Sequence, residues 1–208
     1  MKKNQCYYLA FLNYEDGEME RSVSPAADMK AKYVANTLIR VAKAKIISIA
    51  SIKNKEKTKF YKAKKISLED SSCVYGPTVS SSFHLLRGFG KAITSIWLLN
   101  YLILHLRKRD ILVVYHSLRY MQLVNIAHKL KKFRLVLETE EIYSDVTGDI
   151  KTRQKEIQYL QSAEGYLFAT ELLNSVVNVH RKPAICIYGT YHAEPERKCK
   201  IFNNKLQM

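Results

Sequence analysis

Apolar and polar positions along this chain trade places at two periods, near 2 and near 3.6, and the exchange between them predicts the elements. Gln5 to Tyr14 (QCYYLAFLNY) reads as a buried first strand running into the polar turn NYEDGE. Ala27, Ala31, Val34, Ala35 and Leu38 then recur at helical spacing, while Lys30, Tyr33, Arg40 and Lys43 fall elsewhere. Ser24 before Pro25 supplies an N-cap and a first-position proline, so an amphipathic helix is predicted from there to about Lys43. Lys45 to Ser51 (KIISIAS) is a second strand, and Lys59 to Leu68 a third.

His84 to Leu106 is apolar nearly all round at helical length, and Asp110 to Tyr115 (DILVVY) is a continuous apolar strand. The alternation then repeats: helix Leu118 to Lys131, strand Arg134 to Glu138, helix Asp149 to Ser162, strand Gly165 to Ala169, helix Glu171 to Val179, strand Pro183 to Tyr188. Apolar strands separated by helices mean βαβ units and a parallel sheet covered on both faces. The prediction is an α/β fold, a doubly wound Rossmann-like parallel sheet forming a single domain over residues 1–190, with 191–208 as a linker or tail.

Composition adds a charge problem. The 208 residues hold 34 Lys and Arg against 19 Asp and Glu, a net charge of +15. Nine lysines lie between Lys43 and Lys65, and Arg107 to Arg109 and Lys129 to Arg134 form smaller clusters. An anionic membrane surface or a nucleic acid would each explain the excess, as would a solvated lysine-rich face. No nucleic-acid motif occurs and aromatics do not interleave with the lysine run, so nucleic acid is not the expected partner. Cys6, Cys73, Cys186 and Cys199 are scattered without C-x-x-C spacing, which fits reduced thiols in the cytoplasm. The N-terminus reads as a strand and not as a signal peptide. The longest apolar segment, Ala92 to Leu106, falls short of the roughly 20 residues of a membrane span. That segment is a core helix or, flanked by Lys91 and Arg107 to Arg109, a surface that docks on the inner face of the plasma membrane.

Ligands of such sheets bind beyond the carboxyl ends of the strands. Those ends here are NYEDGE, Tyr115 to Ser117, ETEEIYSD, Ala169 to Glu171 and Tyr188 to His192, rich in groups that hydrogen-bond a polyol or position a proton. His116 is either a base or a structural hydrogen-bonding group. Ser22 and Ser24 with the following helix amides are either an anion cradle or a simple cap. Glu140 and Glu141 are acids at a strand's carboxyl end in a basic chain, and otherwise caps of the turn EIYSD. No G-x-G-x-x-G follows the first strand, and no phosphate-binding loop, G-x-S-x-G elbow or H-E-x-x-H occurs. A dinucleotide fold, an esterase and a metal site are therefore not expected.

The series LNYEDGEMERSVSPAA, VVYHS, LVLETEEIYSD, GYLFATELL and KPAICIYGTY resembles the N-terminal half of bacterial GT-B glycosyltransferases, most of all those that build capsules and exopolysaccharides. The resemblance covers roughly residues 5 to 195. It implies an acceptor-binding half of an enzyme that moves a sugar from a nucleotide-sugar to a polysaccharide or lipid-linked acceptor. It further implies catalytic roles for Glu140 and Glu141, and acceptor contacts from Asp16, Arg21, Ser22, His116, Tyr143, Thr170, Glu171 and Gly189. In many relatives a histidine ends the strand matching LVLETEE, where Glu140 stands nearest here. After YGTY the chain runs through HAEPERKCKIFNNKLQM, where the donor domain of the family should begin. The expectation is therefore a half-enzyme with no cofactor of its own. It is a truncated gene product or a split-enzyme subunit, inactive alone and dependent on a donor-domain subunit in trans. The competing readings are a non-catalytic binding module at the membrane and, behind it, a nucleic-acid binder.

Overall fold

The computed structural model describes residues 4–15, 21–52 and 58–189. Its elements in order are β1 (Cys6–Ala10), α1 (Pro25–Ala42), β2 (Lys45–Ser48), β3 (Lys59–Tyr61), β4 (Lys64–Leu68), β5 (Ser71–Tyr75), β6 (Thr78–Ser80) and α2 (His84–His105). There follow β7 (Ile111–Tyr115), α3 (Leu118–Lys131), β8 (Arg134–Thr139), α4 (Tyr143–Thr147), α5 (Ile150–Gln161), β9 (Gly165–Phe168), α6 (Glu171–Val177) and β10 (Ala184–Cys186).

Eight strands make one sheet in the order β10-β9-β8-β7-β1-β2-β5-β4, parallel throughout except for β4 against β5. From β1 the chain steps outward to β2 and β5, then returns through α2 to β7 on the other side of β1 and steps outward again to β10. The order therefore reverses between β1 and β7, the place where a doubly wound sheet opens a crevice at its carboxyl ends. The doubly wound α/β fold read from the sequence is present.

Side chains on β1 alternate between two cores. Tyr7 and Leu9 join Leu98 and Leu102 of α2, Val124 of α3 and Leu160 of α5 on one face. Cys6, Tyr8 and Ala10 join Ala31, Val34 and Ala35 of α1 on the other. A period-2 strand buried on both sides has no polar face left, which is why QCYYLA and DILVVY read as continuous apolar runs. Helices α1 and α3 both close on a lysine with positive φ, Lys43 at 51° and Lys132 at 54°. That left-handed residue releases the chain toward the next strand, and glycine is the commoner choice there.

Two stretches depart from the sequence reading. Lys59 to Leu68 is two strands, not one. β4 turns back on β5, and β3 pairs antiparallel with β6 to make a separate two-stranded ribbon. The turn after Glu141 is the short helix α4. β1 also ends at Ala10, leaving residues 11–15 as a loop across the carboxyl end. Among the described residues no helix is long and apolar enough to cross a membrane. Residues 191–208 and Asp16 lie outside the described residues.

Candidate functional site

β8 ends as LETEE, and its alternation assigns each acid a different fate. Glu138 points to the α1 face and is 1% exposed. The Tyr8 hydroxyl donates to its Oε2 at 2.5 Å, while Oε1 is buried without a partner. Loss of hydration raises the Glu138 carboxyl to about 7; the neighbouring Glu140 charge adds to this, and the Tyr8 hydrogen bond and Lys30 oppose it. Tyr8 itself is raised well above the usual phenol range by burial and by the Glu138 charge.

Two residues further on, Glu140 emerges on the same side and is partly exposed. Lys30 of α1 reaches across to it, with Nζ 2.7 Å from Oε1, and donates a second hydrogen bond at 3.2 Å to the carbonyl of Ile187 just after β10. One ammonium thereby ties the first turns of α1 to the carboxyl ends of β8 and β10. Tyr115 at the end of β7 and Tyr143 at the start of α4 lie near each other beside this group. Burial raises both phenols, and the Glu141 charge comes second for Tyr143. Glu141 is half-buried and, among the described residues, forms no ion pair.

The wall behind Glu141 is held by Glu156 of α5. This fully buried carboxylate accepts from the backbone amides of Tyr143 at 2.9 Å and Ser144 at 2.9 Å, and pairs with His116 Nε2 at 2.7 Å. Burial opposes its charge, but the His116 and Ser144 hydrogen bonds win and hold it down at about 2. A carboxylate at a helix start satisfies amides that have no partner within the helix. Glu156 thus does the capping that the sequence reading offered as the alternative role of Glu140 and Glu141.

Several expected site residues are placed elsewhere. His116 is 1% exposed, between the rings of Tyr143 and Tyr159, with Nε2 committed to Glu156. It steadies α4 from beneath, and no exposed atom of it faces the crevice. Arg21 is 5% exposed. It pairs with Glu15 at 2.7 Å, donates to the Ala50 carbonyl at 2.8 Å and stacks 3.8 Å above the Tyr75 ring, with Lys64 on the other oxygen of Glu15. A guanidinium so fully engaged is a brace between the β1 and β2 loops and is not free for an acceptor. Ser22 is exposed and donates its amide to Ser51; Ser24 caps α1 through its carbonyl alone.

Thr170 caps α6 by accepting from Leu173 N at 3.3 Å, and Glu171 accepts from the Tyr188 hydroxyl at 3.2 Å. Gly189, with open space around it, follows on the same edge. The structure therefore brings Glu140, Glu141 and Tyr143 together at the mouth of the crevice, and sets Thr170, Glu171 and Gly189 along its outer edge. The sequence reading missed Lys30, Tyr8, Tyr115, Glu138 and Glu156. A groove of about 500 Å³ lined by Asn174, Asn178, Arg181, Lys182 and Ala184 opens at the opposite, amino end of β10. Among the described residues no cluster of three metal-ligating side chains occurs.

No protein-family model and no curated protein matches the sequence. Solved structures do match. An E. coli trehalose-6-phosphate structure bound with UDP-2-fluoro glucose aligns with a TM-score of 0.54 and 11% identity, covering 84% of this chain and 42% of that one. The α,α-trehalose 6-phosphate synthase of Burkholderia multivorans aligns at 0.53 and 10%, covering 86% and 42%. The Burkholderia xenovorans enzyme in complex with glucose-6-phosphate aligns at 0.50 and 13%, covering 81% and 41%. The chain spans about 42% of these relatives' length, and at such identities the likeness is one of fold: one half of a GT-B architecture.

Proposed function

We propose that this chain is the acceptor-side half of a glycosyltransferase, acting on a polysaccharide or lipid-linked acceptor of the kind used in capsule or exopolysaccharide assembly. The observation that carries the reading is Glu140. It is a carboxylate at the carboxyl end of β8, paired with Lys30 and partly exposed beside the β1–β7 switch point. Such a group accepts hydrogen bonds from sugar hydroxyls and takes a proton from an attacking hydroxyl. Glu141 and Tyr143 flank it, with Thr170, Glu171 and Gly189 extending the acceptor track along the sheet edge. The nucleotide-sugar is bound by a second Rossmann-like unit that closes on this face, and the transfer takes place between the two.

The test is Glu140→Gln assayed with the donor unit supplied in trans. A catalytic Glu140 loses roughly 10²-fold or more in rate while the melting temperature stays unchanged. A variant that melts lower and keeps its activity per folded molecule makes Glu140 structural. A non-catalytic sugar-binding module is the second reading. Both Glu140 oxygens lie within 2.7 Å of Lys30 Nζ, so the carboxylate is already occupied in the free chain. On that reading Glu140→Gln changes acceptor affinity and no turnover appears with any donor unit.

A further inference from the structure

Glu140 and Ile187 stand at the carboxyl ends of strands that do not pair, because β9 lies between β8 and β10. At about 4.8 Å per strand the two ends are roughly 10 Å apart. Two routes join them. One is the backbone ladder, in which Ala169 N donates to the Thr139 carbonyl at 3.1 Å and Ile187 N to the Phe168 carbonyl at 2.7 Å. That ladder is blind to the charge on a side chain. The other is Lys30, whose Nζ donates to Glu140 Oε2 at 2.7 Å, lies 2.7 Å from Oε1 and donates to the Ile187 carbonyl at 3.2 Å.

The second route responds to Glu140. The Lys30 side chain is 12% exposed and that of Glu140 24%, so solvent reaches the ammonium only in part. Its contacts with the carboxylate are short and charge-assisted, and its bond to the carbonyl is the longer one. An ammonium shared between a carboxylate and a carbonyl is divided according to their pull. Its helix neighbour Lys32 is committed to Asp28 at 2.7 Å. When a sugar hydroxyl donates to Glu140, the carboxylate pulls less on Lys30 and the carbonyl takes the larger share.

The exit of β10 is where that share is felt. Ile187 packs against the α1-side core, with its amide on β9 and its carbonyl on α1. Tyr188 follows, its hydroxyl on Glu171 at 3.2 Å, and then Gly189. We propose that Lys30 is a positioning residue that couples Glu140 to the exit of β10. Engagement of Glu140 by an acceptor hydroxyl tightens the hold on Ile187 and firms the edge along which Thr170, Glu171 and Gly189 lie. An acceptor long enough to reach from Glu140 to that edge then binds cooperatively, since the first contact has ordered the second. The ligand in this proposal rests on the acceptor reading above, whereas the coupling belongs to the chain itself and is measured without a sugar.

The experiment is amide hydrogen exchange, read by NMR, on the full chain as wild type, Glu140→Gln, Lys30→Met and the double variant. Opening of the β10 exit breaks the Ile187 amide bond and the Lys30 bond together, so the Ile187 amide reports both. Lys30→Met speeds its exchange by about fivefold or more, as expected for loss of one hydrogen bond. Glu140→Gln frees Lys30 for the carbonyl and slows the exchange by about twofold or more, the size of a pairwise coupling within one network. In the Lys30→Met background Glu140→Gln leaves it unchanged. Amides of β1 and β7 report global opening and serve as the reference, so a variant that is merely less stable is recognised. Because no sugar is added, this test and the acceptor reading fail independently. The coupling is overturned if Glu140→Gln moves Ile187 exchange equally with and without Lys30, or does not move it in the wild-type background.

Discussion

The Tyr8 hydroxyl on β1 donates to Glu138 Oε2 on β8 at 2.5 Å, across the intervening β7 and a sequence separation of 130 residues. The pair is buried, and burial is expensive for the carboxylate and tolerable for the acid. The interior therefore lifts Glu138 to about 7 and places a proton-holding group two residues before the partly exposed Glu140.

Glu138 follows a simple linkage sign. Its folded-state carboxyl is raised from 4.5 to about 7, so its contribution to stability is intact below about pH 4.5 and is lost as pH rises through about 7. Glu138→Gln keeps an acceptor for Tyr8 and cannot ionise. It is expected to match the wild type at pH 4 and to exceed it at pH 8 by up to about 3 kcal/mol. Urea titrations at the two pH values measure the difference directly. Equal offsets at both would mean that Glu138 is not desolvated in the folded chain.

Glu156 carries the opposite sign. Its pKa is held at about 2, so it stabilises above the ordinary carboxylate range and that stability fades as pH falls from about 4.5 toward 2. Glu156→Gln removes one acceptor and turns an NH2 toward backbone amides that already donate, which costs roughly 2–4 kcal/mol at pH 7. The gap between variant and wild type narrows as the pH is lowered. Thermal melts from pH 7 to pH 3 follow it, and a gap independent of pH would contradict the assignment.

The two glycines in the first half of α2 behave differently. A Cβ on Gly90 would lie 2.6 Å from Val79 Cβ, so Gly90→Ala pushes helix and ribbon apart at a cost of roughly 1–3 kcal/mol. Gly88 has open space around it. Gly88→Ala instead gains up to about 1 kcal/mol from helix propensity. Melting temperatures moving in opposite directions are the expected result. A parallel shift would mean that α2 does not rest on β6 through Gly90.

Much of this architecture is legible in the chain because its signals are local. The limits of α3 coincide with the expected ones, since Leu118 to Lys131 carries its own periodicity and basic C-terminal turn. The α1 cap falls at Ser24 before Pro25 as read. What was not legible depends on partners far along the chain. β3 finds β6, and the run from Lys59 to Leu68 breaks at Lys62 and Ala63 to supply two edges instead of one. α4 is five residues long and is capped by Glu156, so nothing within EIYSD announces it. Glu140 and Glu141 were visible as acids at a strand end. The Lys30 that holds Glu140 lies 110 residues earlier and comes within reach only through the packing of α1 on the sheet.

The same packing explains which expected contacts turned inward. His116 follows β7 at a strand end, as a crevice residue should, yet its ring turns beneath α4 toward Glu156. Arg21 precedes α1, yet Glu15 and Tyr75 enclose it. Position at a carboxyl end places a residue near the crevice, and the side chain's partner decides whether it faces it.

The central claim is that the crevice around Glu140 receives a sugar acceptor. The direct measurement is an amide NMR titration of wild type and Glu140→Gln with hexoses, hexose phosphates and short polysaccharide fragments. The account predicts saturable shifts concentrated at Lys30, Tyr115, residues 139–144 and residues 187–189, with affinity at least tenfold weaker in Glu140→Gln and an otherwise unchanged spectrum. Shifts confined to the groove at Asn174 to Lys182, or equal affinities in the two proteins, would contradict it.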